Sequence, residues 1–204
     1  EGTMYDVLVG RAAMRDIIHP CEIDVAPAGI ELAGAELALS ATIGRERALD
    51  RALRPLRDEY DLILLDTPPS LGLLTINAMT AAHGVIVPVQ CEYLSLRGLA
   101  QLQGTIEQVR ENLNPDITIR GIIPTMYDGR TVHGREAVDL LVQSFGDVVY
   151  DVRIGKTIRF AEAPVRGQSV MSYDPTGQAA RWYRALAREV AAREGLPLAS
   201  EVAA

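Results

Sequence analysis

The chain has 204 residues, of which 48% are hydrophobic and 23% charged, and its formal net charge is −7. This composition predicts a globular protein with a buried core, and without a run of about 18 apolar residues it excludes a membrane-spanning helix. The negative charge argues against coating of nucleic acid by the whole surface. The two cysteines and three histidines are scattered, so neither a disulfide framework nor a zinc cluster is expected, and a reducing cytoplasm is the predicted compartment.

Apolar runs of strand length alternate along the chain with longer stretches of helical period. The pattern predicts strands over residues 22–26, 62–66, 85–89, 117–124, 148–152 and 169–172. It predicts helices over residues 45–57, 71–81, 96–112, 134–144 and 178–193. Two of the predicted strands, at residues 62–65 and 85–87, are apolar on both faces, which is typical of parallel sheets covered by helices. The sequence therefore predicts one doubly wound α/β domain over residues 1–194, followed by a flexible tail over residues 195–204.

The basic residues are unevenly placed. Between residues 153 and 193 the sequence has eight basic residues against three acidic ones. This surplus indicates either an anion-binding surface or a solvated helix face with its loops. Lys156 is the one lysine in the chain, so any chemistry that requires a lysine has a single candidate here.

The most informative segment is Asp61 to Ser70, where an apolar run ends in Asp66 and is followed by Thr67, Pro68 and Pro69. A carboxylate at the tip of a buried strand needs a cation or hydrogen-bond donors. In nucleotide hydrolases such an aspartate holds Mg²⁺ directly or through water, and a rigid turn beside it acts as a switch. The alternative is an aspartate that caps the following helix.

The segment around Asp66 resembles the Walker B region of ParA/Soj-type partition ATPases, and the resemblance continues through most of the chain. The matching segments are APAGIELAGAE (26–36), LDTPPSLGLLTINAMTAA (65–82), VIVPVQCEYLSLRGLAQL (85–102), PTMYDGRT (124–131), IRFAEAPVRGQSV (158–170) and YDPTGQAARWYRALAREVA (173–191). Several blocks in order are far more specific than one motif. The resemblance implies a P-loop NTPase fold that binds ATP and Mg²⁺.

The resemblance also implies roles for particular residues. Asp66 matches the Walker B aspartate, which holds Mg²⁺ through water, and Thr67, Pro68 and Pro69 match the switch II turn beside it. The walls of the adenine pocket correspond to Thr125, Met126 and Gly155.

Two arginines match family positions that bind nonspecific double-stranded DNA in the ATP-bound homodimer. They are Arg130 and Arg159, and an always-charged guanidinium suits phosphate contacts that read no bases. The alternative is that each arginine forms an ion pair within the protein, for instance with Asp128 or Glu162.

Two parts of the family pattern do not occur in these 204 residues: the lysine-containing Walker A loop and the switch I segment with its catalytic aspartate. The run from Gly155 to Thr157 does not replace the loop, because Tyr150 stands where the first glycine of a phosphate loop is required. It also departs from the proline-arginine-asparagine run usual in the family, which weakens the match of Gly155 to the adenine pocket. We therefore expect this chain alone neither to bind ATP tightly nor to hydrolyse it.

Three functions follow as hypotheses. The first is a partition ATPase, associated with the nucleoid and stimulated by a ParB/Spo0J-type centromere-binding partner. The second is a membrane-associated positioning ATPase of the MinD type, which requires a basic amphipathic helix at the C-terminus. Residues 196–204 contain one acid and no base, so no membrane partner is expected. The third is a ParA-like binding module without enzymatic activity.

Overall fold

The structure, a computed structural model, describes residues 2–91 and 95–197, with the side chains at 95–97 outside that description. The chain divides into two compact units, one of residues 1–85 and 101–118 and the other of residues 86–100 and 119–204. The single domain predicted over residues 1–194 stays a prediction. Most of the predicted tail, residues 198–204, lies outside the described residues.

The first unit is mainly helical. Its α-helices are α1 (Met4–Leu8), α2 (Ala35–Leu39), α3 (Ala48–Leu53) and α4 (Leu73–Ala81). Its 3₁₀ turns are Met14–Ile17, Ile30–Gly34, Arg45–Arg47 and Arg54–Glu59. The helix predicted over 71–81 is confirmed as α4. The one predicted over 45–57 is helical but changes type after Leu53, where Pro55 lacks the N–H that an α-helical bond needs.

Apolar side chains from α1, α3 and α4 form the core of this unit, together with Leu39 of α2. A buried amide ties α4 to the start of α3. Asn77 accepts a hydrogen bond from the Leu49 amide at 3.1 Å and donates to the carbonyls of Arg45 at 2.9 Å and Leu73 at 3.0 Å. The amide is therefore satisfied on both sides, which is the condition for burying a polar group at low cost.

Two strand predictions in the first unit are wrong in part or in whole. The strand predicted over 22–26 is reduced to β2 (Asp24–Val25), which pairs antiparallel with β1 (His19–Pro20) and is exposed. The segment 62–66 forms no strand, and Leu62, Ile63 and Leu64 are 49%, 36% and 74% exposed. The reason is physical: a strand needs neighbours to complete its hydrogen-bond ladder, and no described residue pairs with this segment.

The second unit contains a parallel sheet. Strands β3 (Val85–Gln90) and β4 (Ile119–Thr125) are neighbours. Hydrogen bonds from Val85 N to Thr118 O at 2.9 Å and from Cys91 N to Thr125 O at 3.0 Å advance along both strands together, so the pairing is parallel. The predicted strand over 148–152 runs beside β4 through the parallel bridge between Ile122 and Val149, but it makes isolated bridges rather than a full ladder.

Side chains alternate between the two faces of this sheet, as extended backbone requires. On one face, Val89, Ile122 and Val149 pack with Leu99 and Leu141 from the crossover helices. On the other face, their sequence neighbours pack against the C-terminal helix. The residues of that second cluster are Ile86, Ile123, Tyr150, Val152, Ile154, Phe160, Trp182, Leu186 and Val190. The unit is thus an α/β sandwich, and the predicted mostly parallel α/β fold is confirmed.

The remaining helices are α5 (Ser95–Asn112), which contributes residues to both units, α6 (Val132–Phe145), α7 (Arg159–Val165), α8 (Val170–Tyr173) and α9 (Gln178–Glu194). Helices α5, α6 and α9 are close to their predicted ranges, whereas the sequence pattern predicts no helix at α7 or α8. A 3₁₀ turn, Gly146–Val148, follows α6. The strand predicted over 169–172 is wrong: this segment is α8, because the Ser169 hydroxyl caps a helical turn by accepting from the Ser172 amide at 3.2 Å.

Gly121 in β4 lies directly under the ring of Tyr150. A Cβ at this position would overlap the ring, with the Tyr150 Cζ atom 2.7 Å away. We expect Gly121→Ala to lower the free energy of unfolding by about 1–3 kcal/mol, the cost of overpacking a filled core. Denaturant unfolding measures this.

The matched control is Gly104→Ala in α5, where a Cβ would meet nothing within 4 Å. This change should raise the free energy of unfolding by about 0.5–1 kcal/mol, because alanine loses less backbone entropy in a helix. Equal unfolding midpoints for the two variants would contradict the packing assigned to Tyr150.

Candidate functional site

An open cavity of 420 Å³ lies in the second unit at the carboxyl end of β4. Its lining residues are Tyr127, Asp128, Gly129, Arg130, Arg153, Gly155, Lys156 and Trp182. The two loops that form it are joined by a hydrogen bond from Tyr127 N to Ile154 O at 3.0 Å and by the parallel bridge between Tyr127 and Gly155. The edge of a parallel sheet where strands end is where α/β proteins bind ligands.

One side of the cavity combines an aromatic ring with a cation. The Arg153 guanidinium lies 5.0 Å from the centre of the Tyr127 ring, and its Nη1 donates to the Tyr127 hydroxyl at 3.1 Å. Arg153 is exposed, so this contact fixes the position of a charged group at the mouth of the cavity. The preceding residue, Met126, has a left-handed backbone with φ of 52°, which turns the chain out of β4.

The other side is formed by α9, which presents Trp182 to Gly155. A Cβ on Gly155 would lie 2.8 Å from Cζ2 and 3.2 Å from Cζ3 of the indole. Only a residue without a side chain permits this approach. Gly155 is buried and Trp182 is half-buried, so part of the indole faces the cavity that both residues line.

The loop after Met126 is held by a dense set of hydrogen bonds. Arg130 forms a fork with Asp128, from Nε to Oδ1 at 2.9 Å and from Nη2 to Oδ2 at 2.8 Å. The Thr131 hydroxyl donates to the Asp128 carbonyl at 2.9 Å and caps α6 by accepting from the Gly134 amide at 3.1 Å. The Arg130 side chain is nonetheless 91% exposed, so its charge is on the surface.

The hydrogen bonds from Arg130 lower the pKa of Asp128 from its usual 3.8 to about 2. Because the folded pKa is lowered, ionised Asp128 favours the folded state above about pH 4, and this contribution is lost as the pH falls towards 2. We expect the Asp128 carboxyl carbon to titrate near pH 2 by NMR. In Arg130→Gln its midpoint should move up towards the usual range, while Arg51→Gln in the other unit should leave it unchanged. A midpoint near 4 in the unmodified chain would contradict the ion pair.

Arg159, the first residue of α7, also has partners inside the protein. Its Nη1 donates to Glu162 Oε2 at 2.8 Å, and its Nε lies 3.5 Å from Asp174 Oδ2. The guanidinium is 5.9 Å from the centre of the Tyr173 ring, and the Tyr173 hydroxyl donates to Glu162 at 3.2 Å. The ion pairs considered as alternatives for Arg130 and Arg159 are therefore both present.

Other arginines of the basic C-terminal segment have different partners. Arg184 donates to the Pro175 carbonyl at 2.6 Å, and Arg181 donates to the Thr176 carbonyl at 2.9 Å. Carbonyls fix these guanidiniums without cancelling their charge. Arg166 is exposed and forms no ion pair with a described residue. The segment therefore retains positive charge on its surface.

The turn after Asp66 belongs to the first unit. The Thr75 hydroxyl of α4 donates to the Ser70 carbonyl at 2.6 Å and lies 3.5 Å from the Pro68 carbonyl, which ties the turn to the helix. The Glu36 carboxylate accepts from the Leu74 amide at 3.2 Å at the start of α4. Asp66 is exposed and makes no hydrogen bond or ion pair with any described residue, so it does not cap α4.

The predicted site residues thus fall in three places, of which the start of α7 holds Arg159. Asp66, Thr67, Pro68 and Pro69 form the turn before α4, while Gly155 and Arg130 line the cavity. Thr125 and Met126 lead into Tyr127 without lining the cavity themselves. Among the described residues, no group of three or more His, Cys, Asp or Glu side chains is placed to hold a metal ion.

Sequence reasoning missed Tyr127, Arg153 and Trp182. Tyr127 follows the end of the predicted strand by three residues, and this position is a signal for a ligand-binding residue, because ligands bind where parallel strands end. Trp182 fits the helical period of α9, which indicates a packing position and gives no signal that the residue lines a cavity. Searched over its described residues, the protein has no helix long and apolar enough to cross a membrane.

Comparison with known proteins identifies the class of protein to which this chain belongs. A solved structure titled as cobyrinic acid a,c-diamide synthase from Mycobacterium smegmatis, with a bound ATP analog and magnesium, matches with a TM-score of 0.71 and 40% identity over 81% of this chain and 72% of that one. The AAA domain profile matches residues 1–119. The fold is therefore the α/β fold of P-loop NTPases.

The family follows from sequence relatives. The sporulation initiation inhibitor protein Soj of Bacillus subtilis is 47% identical over 195 residues, which are 94% of this chain and 77% of Soj. The chain belongs to the ParA/Soj family of partition ATPases. An uncharacterized protein of Mycobacterium tuberculosis is 44% identical over 200 residues, and there the match spans 63% of the relative's length. The chain thus spans less than two thirds of that relative.

Proposed function

We propose that this chain is part of a chromosome or plasmid partition ATPase that binds ATP with Mg²⁺, dimerises in the ATP-bound state and then binds DNA without sequence preference. A ParB-type partner stimulates hydrolysis and releases the DNA. The observation that carries this proposal is the 47% identity with Soj over 94% of the chain. The protein would act in the cytoplasm on the nucleoid.

The residues present fit Mg²⁺ at the switch turn. Carboxylate oxygen is a preferred ligand of this ion, and Asp66 offers one that no described side chain occupies. Bound there, the ion would supply charge stabilisation for phosphoryl transfer. The chain's own contribution is to hold Asp66 at the start of a turn that Thr75 fixes to α4.

The cavity in the second unit fits the base of the nucleotide. It has aromatic walls in Tyr127 and Trp182, and its rim includes Arg130, Arg153 and Lys156. Planar rings pack against aromatic side chains, and cations favour an anionic ligand. This arrangement supports the assignment of Gly155 to the base-binding region, whereas Thr125 and Met126 do not line the cavity.

The basic surface supports contacts with DNA phosphates. A guanidinium has five N–H donors, and the carboxylate partners of Arg130 and Arg159 engage only some of them. The carboxylates hold each fork in one orientation, and the remaining donors stay available for phosphate. Arg166, Arg181 and Arg184 add charge that no described carboxylate cancels.

The direct test compares this chain with a chimera in which the segment of Bacillus subtilis Soj that carries the Walker A loop and switch I precedes Glu1. The chimera should show Mg²⁺-dependent ATP turnover that DNA and a ParB-type partner increase. The 204-residue chain should show none, because phosphoryl transfer depends on a preorganised phosphate site that is not in its sequence. Robust turnover by the 204-residue chain, or none by a folded chimera, would refute the proposal.

A further inference from the structure

Trp182 is the one tryptophan of the chain, and it lines the cavity opposite Gly155, which has no side chain. Its six-membered ring occupies the space that a Cβ on Gly155 would need, with Cζ2 and Cζ3 at 2.8 Å and 3.2 Å. The two residues are therefore complementary: the indole reaches the cavity wall only because residue 155 is glycine.

Helix α9 is held in place by bonds to the strand segment that leads to Gly155. The Glu189 carboxylate accepts from the amides of Asp151 at 2.9 Å and Val152 at 3.0 Å. Arg193 donates to Glu189 at 2.6 Å and to the Val149 carbonyl at 3.0 Å, and it lies 4.1 Å from the centre of the Tyr150 ring. These contacts fix the axial position of α9, so Trp182 is a preorganised wall.

We infer that Trp182 is a base-contacting residue of the nucleotide site, and that Gly155 sets its position. The inference rests on the proposed function for the identity of the ligand, a nucleoside triphosphate whose base enters the cavity. The cavity volume of 420 Å³ lies within the range of small-molecule sites. An indole face can stack on any nucleotide base. Loss of the indole should therefore weaken nucleotide binding without altering the chemistry at the phosphates.

The first measurement uses the fluorescence of Trp182 in the 204-residue chain. Adenosine, which carries the base without phosphate, should quench the emission to saturation. Inorganic tripolyphosphate, which carries the charge without the base, should not. Equal quenching by both compounds, or no saturable quenching by adenosine, would overturn the base contact. This result is independent of whether the chain or the chimera hydrolyses ATP.

The second measurement uses the chimera and its steady-state kinetics. Trp182→Leu should raise the KM for ATP about tenfold with little change in kcat, and Trp182→Phe should restore most of the loss. The matched control is Tyr183→Leu, the next residue on α9, whose ring packs against Phe160 at a centroid distance of 5.7 Å and does not line the cavity. It should leave KM unchanged. A KM for Trp182→Leu equal to that of the control would overturn the inference.

Gly155 is tested by a double-mutant cycle. Gly155→Ala should raise KM by displacing the indole, whereas the same change in the Trp182→Leu background should add little, because the side chain that it displaces is gone. Strictly additive effects would show that Gly155 acts without Trp182 and would overturn the second half of the inference. A chimera that hydrolyses ATP with unaltered KM in all these variants would leave the proposed function standing and remove Trp182 from the site.

Discussion

Replacing Arg159 with glutamate in the chimera should reduce DNA retention at least tenfold while leaving ATP binding unchanged. The substitution reverses a charge at a position proposed to contact phosphate, and each phosphate contact contributes a slope of about −0.9 to the dependence of log affinity on log salt concentration. In a dimer two contacts are lost, so the slope should become shallower by about two. Filter binding at several salt concentrations measures both quantities.

The geometry of Arg159 determines the controls. Glutamate at this position would stand beside Glu162 and Asp174, and repulsion could loosen α7. Arg159→Gln removes the charge without this repulsion and should give the same change in slope of about two, because it removes the same two phosphate contacts. Arg51→Glu, an equal charge reversal in the first unit, controls for net charge. If Arg159→Glu and Arg51→Glu retained DNA equally well, the proposed role of Arg159 would be contradicted.

Asp66→Asn should lower the ATP turnover of the chimera by a factor of about 100 or more. The amide keeps the shape of the side chain but removes the negative charge that would hold Mg²⁺, and charge stabilisation by a bound metal contributes several kcal/mol to the transition state. Because Asp66 is exposed and has no partner among the described residues, the melting temperature should change little.

The matched control is Asp61→Asn, the same chemical change at an exposed aspartate at the start of the same segment. It should retain full turnover. A magnesium titration adds a second readout, since Asp66→Asn should require a higher concentration for half-maximal rate. If both variants hydrolysed ATP at the same rate, Asp66 would not be the metal-holding carboxylate.

The parallel sheet of the second unit was predictable because its signal is local. Residues 85–87 are apolar on both faces, and the structure buries Val89 and Ile122 against one helical layer while Ile86 and Ile123 pack against the other. The segment 62–66 carries the same signal but does not form a strand. The hydrophobic periodicity of a segment shows which of its side chains can be buried. Whether the segment pairs as a strand depends on neighbouring strands that lie elsewhere in the chain.

The candidate site divides in the same way. The positions of Asp66, Gly155, Arg130 and Arg159 followed from motif resemblance, which reads residue type and order. The hydrogen-bond and ion-pair partners of these residues did not follow from that resemblance. The fork between Arg130 and Asp128 spans two residues and was foreseeable as an alternative, but the contact of Arg159 with Asp174 joins the start of α7 to the end of α8.

The sequence by itself determined the family and most of the alternation of strands and helices, because each is written in residues close together in the chain. The tertiary structure alone decided that Trp182 stands against Gly155, 27 residues apart in a numbering that gives no hint of contact. It also decided which guanidiniums meet carboxylates and which meet carbonyls. The reason is that such contacts depend on how α9 docks on the sheet, and docking is set by the summed packing of many side chains.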